Sequence, residues 1–432
     1  MQRSQPGKLG LWSGVGLVVG NVVGVGVLTN TGYMALHLGP RAILLSWLVG
    51  GVMAVAGAAC YAELARAIPR SGGEYRYLSD LVHPFFGTLA GWTSLLVGFS
   101  APVALAAATA GPFFATLVPV APPLLTGAAL IILATVSQTF DARWSNGTQD
   151  ALALIKGLLI AGFIVVGLVL GSHAVPTWRA PEAPATLPVR PFAVSLVYVA
   201  FAYSGWNAVA YAAEEFRDPR RTVPRAMLWG TALVTLVYLA VNAIFVANLS
   251  GERLTDWLGQ DTSRITLAHL LMERLAGSGA ARATSLCVVL SLASSVIAMT
   301  MAGPRVAAAM AAEGFLPRAL SGRQGHPPFW SVVLQSGLAL VLLATNTFEA
   351  LLRSVGAILT LVSALTVAVV LRLRWGRTRF PRPSLVVVAA ALVYLTGSAW
   401  MLWYTLSDDP RALLWLAAVA VAAAIAYLGT AR

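Results

Sequence analysis

Two short stretches and one lysine carry the residues that could do chemistry in this 432-residue chain. Gly20-Asn-Val-Val-Gly-Val-Gly-Val27 sets glycines in the middle of one apolar run, and Ser204-Gly205 interrupts another. A helix that comes apart at such a place bares N–H groups at the start of one half and carbonyls at the end of the other. A dipolar α-amino acid needs that pair: donors for its carboxylate, acceptors for its ammonium. Gly24, Val25 and Gly26 would offer the N–H groups, because glycine lets the backbone approach closely. Carbonyls near Val22 and from Phe201 to Ser204 would receive the amine. Close packing of helices is the plainer explanation of such glycines. Interruptions at matching places in two halves of a chain favour a midplane binding site instead.

Lys156 is a charge inside an apolar run, Ala151-Leu-Ala-Leu-Ile-Lys-Gly-Leu-Leu-Ile160. Its ammonium could bond a carbonyl of the broken first helix and a hydroxyl of the eighth run, with Ser291, Ser294 and Ser295 as candidates. The alternative is a lysine that snorkels to the headgroups, since Asp150 opens the same helix. The acids of the runs, Glu63, Asp150, Glu214, Glu215, Glu313 and Glu349, all sit at run ends. A cationic ligand side chain held at mid-depth would want a carboxylate there, so apolar or small polar side chains fit better. An aromatic face remains an alternative partner for a cation. His83, His173, His269 and His326 fall in loops or at run ends and His37 closes the first run, so no metal-ligand cluster is expected. No catalytic constellation or cofactor site is visible, and an enzyme is not expected.

The elements that must position these groups are membrane helices. Hydrophobic residues make up 58% of the chain and charged residues 11%, and mean hydropathy is +0.76. Apolar runs long enough to span a bilayer recur about twelve times, from Leu11–Leu36 through Ala151–Leu170, Phe192–Ala213 and Ala283–Met310 to Ala412–Leu428. In lipid such runs must be helices, and the alternation of a barrel strand is absent. The start, Met1 to Lys8, is short and polar with no small-residue cleavage site after it, so the first run reads as a retained helix. A net charge of +12 could mean nucleic acid in a soluble protein. Here the arginines crowd alternate loops, Arg66 to Arg76, Arg217 to Arg225 and Arg372 to Arg382, which puts both termini in the cytoplasm and leaves no role for nucleic acid. Between the seventh and eighth runs a helical pattern, Arg264–Leu275, could lie across the outer face. Cys60 and Cys287 lie inside expected helices and suggest neither a disulfide framework nor a metal site.

At these residues the chain resembles the amino acid–polyamine–organocation superfamily, and within it the L-type amino acid transporters and their bacterial relatives. The resemblance runs from Leu9 to Leu371 and rests on the first-run motif Gly20–Val27, on Cys60-Tyr-Ala-Glu-Leu64 with Pro69-Arg-Ser-Gly-Gly-Glu-Tyr-Arg-Tyr77, on Phe201-Ala-Tyr-Ser-Gly-Trp-Asn207 continuing to Val223-Pro-Arg225, and on Arg305 to Pro317. It implies a LeuT-like fold: a five-plus-five inverted repeat, residues 9–171 and 191–372, with broken first and sixth helices and two accessory helices over 383–430. It implies substrate contacts at Val22, Gly24, Val25, Gly26, Phe201, Ser204, Gly205 and Asn207, with Phe201 as an aromatic gate and Asn207 as a polar contact. Lys156 falls where sodium-independent members carry a fifth-helix lysine, in place of the ion that braces sodium-coupled ones. Tyr203 and Trp206 read as packing or interfacial aromatics and Arg305 as a loop anchor.

Two positions depart from the family pattern. Val25 stands where a hydroxyl residue is usual, which leaves only its backbone N–H for the carboxylate. The outer loop Val118–Pro123 has no cysteine, so no disulfide-linked heavy chain is expected as a partner. The implied activity is sodium-independent exchange or facilitated transport of neutral L-amino acids in the plasma (inner) membrane. A bundle including the first, second, sixth and seventh helices would rock against a scaffold. A proton- or sodium-coupled symporter of the same fold, and a receptor or channel built on it, are the rival readings.

Overall fold

The first apolar run folds as two helices. α1 (Leu11–Val22) stops at Val23, whose ψ of 104° leaves the helical region, and α2 (Val25–Met34) restarts after Gly24 (φ −150°, ψ −149°). The two halves are bent by 40°. The computed structural model describes residues 9–139, 145–174, 176–182, 188–249, 257–312, 316, 318–322, 328–376 and 380–430. Glu313, His326 and, within the loop Arg372 to Arg382, Arg377 and Arg379 lie outside these residues, as do the side chains of Val25 and Asp150.

Beyond the break, long helices follow one another: α3 (Pro40–Ala67), the short α4 (Gly73–Leu81), α5 (Pro84–Thr93) and α6 (Ala101–Ala115). A π-helical stretch, Ser94–Ser100, joins α5 to α6 without a loop. Then come α7 (Pro123–Thr139), α8 (Ser145–Leu170) and α9 (Val189–Ala202). After a second break the chain makes only α10 (Ala208–Tyr211) and a 3-10 turn, Ala213–Glu215, before α11 (Pro219–Asn248). The last elements are α12 (Asp261–Ile265), α13 (Leu267–Ala312), α14 (Phe329–Thr345), α15 (Phe348–Trp375), α16 (Leu385–Asp408) and α17 (Arg411–Thr430).

Two expectations need correction here. The helix expected over Arg264–Leu275 is split at Thr266, and its second part continues past a left-handed Gly277 (φ +82°) into the eighth run. Arg305, expected as a loop anchor, lies on an exposed face of α13.

Six described helices are each long and apolar enough to cross a membrane, the bent α1–α2 pair passes the same test together, and five shorter apolar helices accompany them. Their outer faces carry Trp12, Trp229 and Trp403 at 79%, 64% and 71% exposure. Water would penalise such a surface, whereas acyl chains and headgroup boundaries accept it. Inside, α1 packs on α11 and α10, α3 on α11 and α16, and α13 on α6 and α8. The start of the first broken run and the end of the sixth are tied by a short parallel bridge, with Leu9 N donating to Glu215 O (3.1 Å) and Arg217 N to Leu9 O (3.2 Å).

Candidate functional site

The two breaks touch each other. Gly205 adopts φ +103°, a left-handed conformation that side chains resist, and a Cβ there would sit 3.3 Å from the Asn21 carbonyl oxygen. A Cβ on Gly26 would meet the Ala202 Cβ at 2.6 Å, so the start of α2 reaches the end of α9 only as glycine. Sequence and packing therefore agree on why these positions lack side chains: each is where one broken helix presses on the other.

Polar contacts then fill the space between the breaks. The Tyr238 hydroxyl of α11 lies 2.7 Å from Val22 O and 3.0 Å from Ala202 O, the last carbonyls of the first halves of both runs. A phenol has one proton, so it serves one carbonyl at a time. Asn242, one turn along, donates to Tyr238 O (2.8 Å) and accepts from the Thr31 hydroxyl. Asn30 Nδ2 donates to Tyr198 O (2.6 Å) and ties α2 to α9. Tyr238 and Asn242 escaped the sequence reading, although two polar residues at i and i+4 inside an apolar run are a signal in their own right.

Lys156 reaches the first break from the other side. Its Nζ is 3.4 Å from Gly20 O and 3.2 Å from Ser295 Oγ, and Ser295 donates onward to Ser291 O (3.1 Å). Ser291 Oγ donates to Cys287 O at 2.7 Å, and Ser294 is buried on the same helix. A small cavity lies between these groups, lined among others by Val23, Gly24, Thr29, Lys156, Ser291 and Ser295. Thr109 and Phe113 of α6, not foreseen from the sequence, complete its wall. Among the described residues its lining includes one ammonium and no carboxylate. The space open to the centre of a water molecule is about 20 Å³, room for a water or so and not for an amino acid.

The sixth-run residues stand apart from this cavity. Phe201 is 9% exposed in the last turn of α9, and Ser204 N closes a turn onto Phe201 O at 2.9 Å. Asn207, expected to face a ligand, instead donates Nδ2 to Glu74 Oε1 at 3.3 Å. Tyr203 and Trp206 are buried packing residues: Tyr203 lies 5.0 Å from the Tyr238 ring and Trp206 makes an edge contact with Tyr61 at 4.6 Å. Both cysteines are free thiols, Cys60 buried and Cys287 half-buried.

The chain is similar to curated proteins along most of its length. It is 30% identical over 416 residues to the large neutral amino acids transporter small subunit 2 of Mus musculus, covering 93% of this chain and 77% of that protein. It is 28% identical over 424 residues to the Asc-type amino acid transporter 1 of Homo sapiens, covering 93% and 78%. To the serine/threonine exchanger SteT of Bacillus subtilis it is 27% identical over 343 residues, covering 78% and 76%. Residues 9–426 match the amino acid permease family. With that match over nearly the whole chain, two helices broken against each other and a lysine bracing one of them, the chain belongs to the amino acid permease family, a family of membrane transporters and not of enzymes.

Proposed function

We propose that this protein moves neutral L-amino acids across the plasma (inner) membrane by alternating access, as a sodium-independent exchanger or facilitator. One observation carries the reading: the Lys156 ammonium lies between Gly20 O and Ser295 Oγ, beside Gly24, in a cavity whose described lining includes no carboxylate. A fixed positive charge at that place does the bracing that a bound cation would otherwise do, so no sodium is required. The same charge repels a cationic ligand side chain and finds no acid to offset it. The amino acid itself is held by bare peptide groups at Val22, Gly24, Val25 and Gly26 and around Phe201, Ser204 and Gly205, once the helices part enough to admit it. Asn207 enters the contact set when it leaves Glu74.

In this reading the chain crosses the bilayer about twelve times. Residues 9–171 and 191–372 form the two inverted repeats and 383–430 two accessory helices, with both termini cytoplasmic. It works without a disulfide-linked heavy chain. The names of the relatives, two of them neutral or Asc-type amino acid transporters and one a serine/threonine exchanger, are consistent with this class of cargo.

Counterflow in proteoliposomes tests the proposal. Radiolabelled L-threonine and L-leucine are expected to enter vesicles preloaded with unlabelled neutral amino acids, saturably and equally well when choline replaces sodium. Uptake led by arginine, or abolished without sodium, would overturn it.

A further inference from the structure

Glu74 is the buried acid that the transport reading leaves without a task. A left-handed pair, Gly72 (φ +125°) and Gly73 (φ +54°), turns the chain after α3 so that α4 folds back against the protein interior. The Glu74 side chain is thereby buried at 7% exposure. Three donors from three separate elements converge on its Oε1: the Tyr61 hydroxyl of α3, Asn207 Nδ2 just before α10 at 3.3 Å, and Ser363 Oγ of α15 at 3.2 Å. Every one of these partners is neutral. In alternating access α3 and the second half of the sixth run move with the bundle of first, second, sixth and seventh helices expected from the sequence, whereas α15, outside that set, stays with the scaffold.

We propose that Glu74 is the latch of the cytoplasmic gate, a positioning residue that holds the second helix and the second half of the sixth against α15 and must release Asn207 and Tyr61 for the site to open inward. A carboxylate suits this task better than an apolar contact. Buried among neutral donors it recovers only part of its lost hydration, and in an open gate water replaces those donors almost without loss. The closed and open states are thus kept near balance, as a gate requires. The same geometry explains why Asn207 faces away from the cavity in this closed state: latching and ligand contact compete for one amide. The inference rests on the alternating-access reading but on nothing about the cargo.

Hydrogen–deuterium exchange of the purified full-length protein, without any substrate, tests it. Glu74→Ala removes the acceptor, Glu74→Gln keeps an accepting oxygen in the same place, and Ser363→Ala removes one donor and leaves the carboxylate. Peptides covering residues 9–22 and 208–217 are expected to exchange several-fold faster in Glu74→Ala and to a lesser degree in Ser363→Ala. Glu74→Gln should exchange no faster than the parent, and the 25–34 peptide should not change in any variant. Parent-like rates in both alanine variants would overturn the latch. If Glu74→Ala loses protection everywhere, Ser363→Ala decides by the same peptides, and a uniform or absent change there rejects the proposal. Because no ligand is present, a failure here is separate from a failure to transport neutral amino acids.

Discussion

Lys156 has oxygens from two different helices within reach of one ammonium, and this separates it from a lysine that merely snorkels. A charge-assisted hydrogen bond contributes about 1.5–3 kcal/mol, so loss of both partners should lower exchange by tenfold or more. Lys156→Met, similar in length and unable to donate, is the variant of choice. It should elute as a stable monodisperse protein and fail in counterflow; parent-like flux would return Lys156 to the headgroups. Glu74 makes a different prediction, in pH. Burial raises its pKa above the usual carboxylate range, and the hydrogen bonds from Tyr61, Ser363 and Asn207 offset only part of that rise. The titratable groups facing it are the phenols Tyr61, Tyr77, Tyr211 and Tyr394, which carry no charge near neutrality, since even a phenol in water ionises only near pH 10. The latched state therefore holds a proton more tightly than a state in which the carboxyl meets water. Its stabilisation is complete below the ordinary glutamate pKa and is lost as pH rises through the raised value. Deuterium uptake at residues 9–22 should match that of Glu74→Gln in acid and exceed it increasingly toward alkaline pH. Identical uptake in the two proteins at every pH would contradict the titration.

At the scale of elements, the glycines of the first run are not equivalent. A Cβ on Gly20 would meet nothing within 4 Å, whereas one on Gly26 would strike Ala202 and one on Gly205 would add a φ of +103° to close contact with Asn21. Gly20→Ala should therefore leave stability and flux near the parent's. Gly205→Ala should cost about 1–3 kcal/mol of backbone strain and lower the melting temperature by several degrees. Thermal unfolding followed by intrinsic fluorescence measures both, and equal melting temperatures would refute the distinction. Both breaks are legible in the sequence because small residues in the middle of bilayer-length runs invite few other readings. Which glycine touches what is not legible, since it depends on a neighbour some 180 residues away. Tyr238 and Glu74 are obscured for related reasons. Tyr238 sits in a run that hydropathy reads as plain membrane helix. Glu74 sits on a short polar helix that hydropathy reads as a loop, and only the turn at Gly72–Gly73 carries it into the interior.

Across the whole molecule, hydrogen bonds close the protein at two ends. At one end, the cytoplasmic one in the proposed orientation, stands the Glu74 cluster. At the opposite end the Tyr33 hydroxyl donates to Asp261 Oδ1 at 2.7 Å, and Tyr198 donates to Glu349 at 2.7 Å, where Arg353 holds the same carboxylate at 3.1 Å. The cavity beside Lys156 offers only about 20 Å³, too little for an amino acid, which fits the proposed carrier with both of its ends tied. Alternating access then requires that the two closures oppose each other, because a carrier open at both ends would leak. Removing one tie should shift the population by the worth of a hydrogen bond, about 1 kcal/mol or roughly fivefold, toward the state open on that side. Tyr33→Phe should tighten substrate binding from outside and weaken it from the cytoplasmic side, and Ser363→Ala should do the reverse. The double variant should return both affinities toward the parent's, since each change offsets the other in one equilibrium. Sided affinities of L-threonine exchange in oriented proteoliposomes measure all three proteins. A double variant with weakened binding on both faces would mean that the two clusters stabilise the fold separately and do not gate a common path.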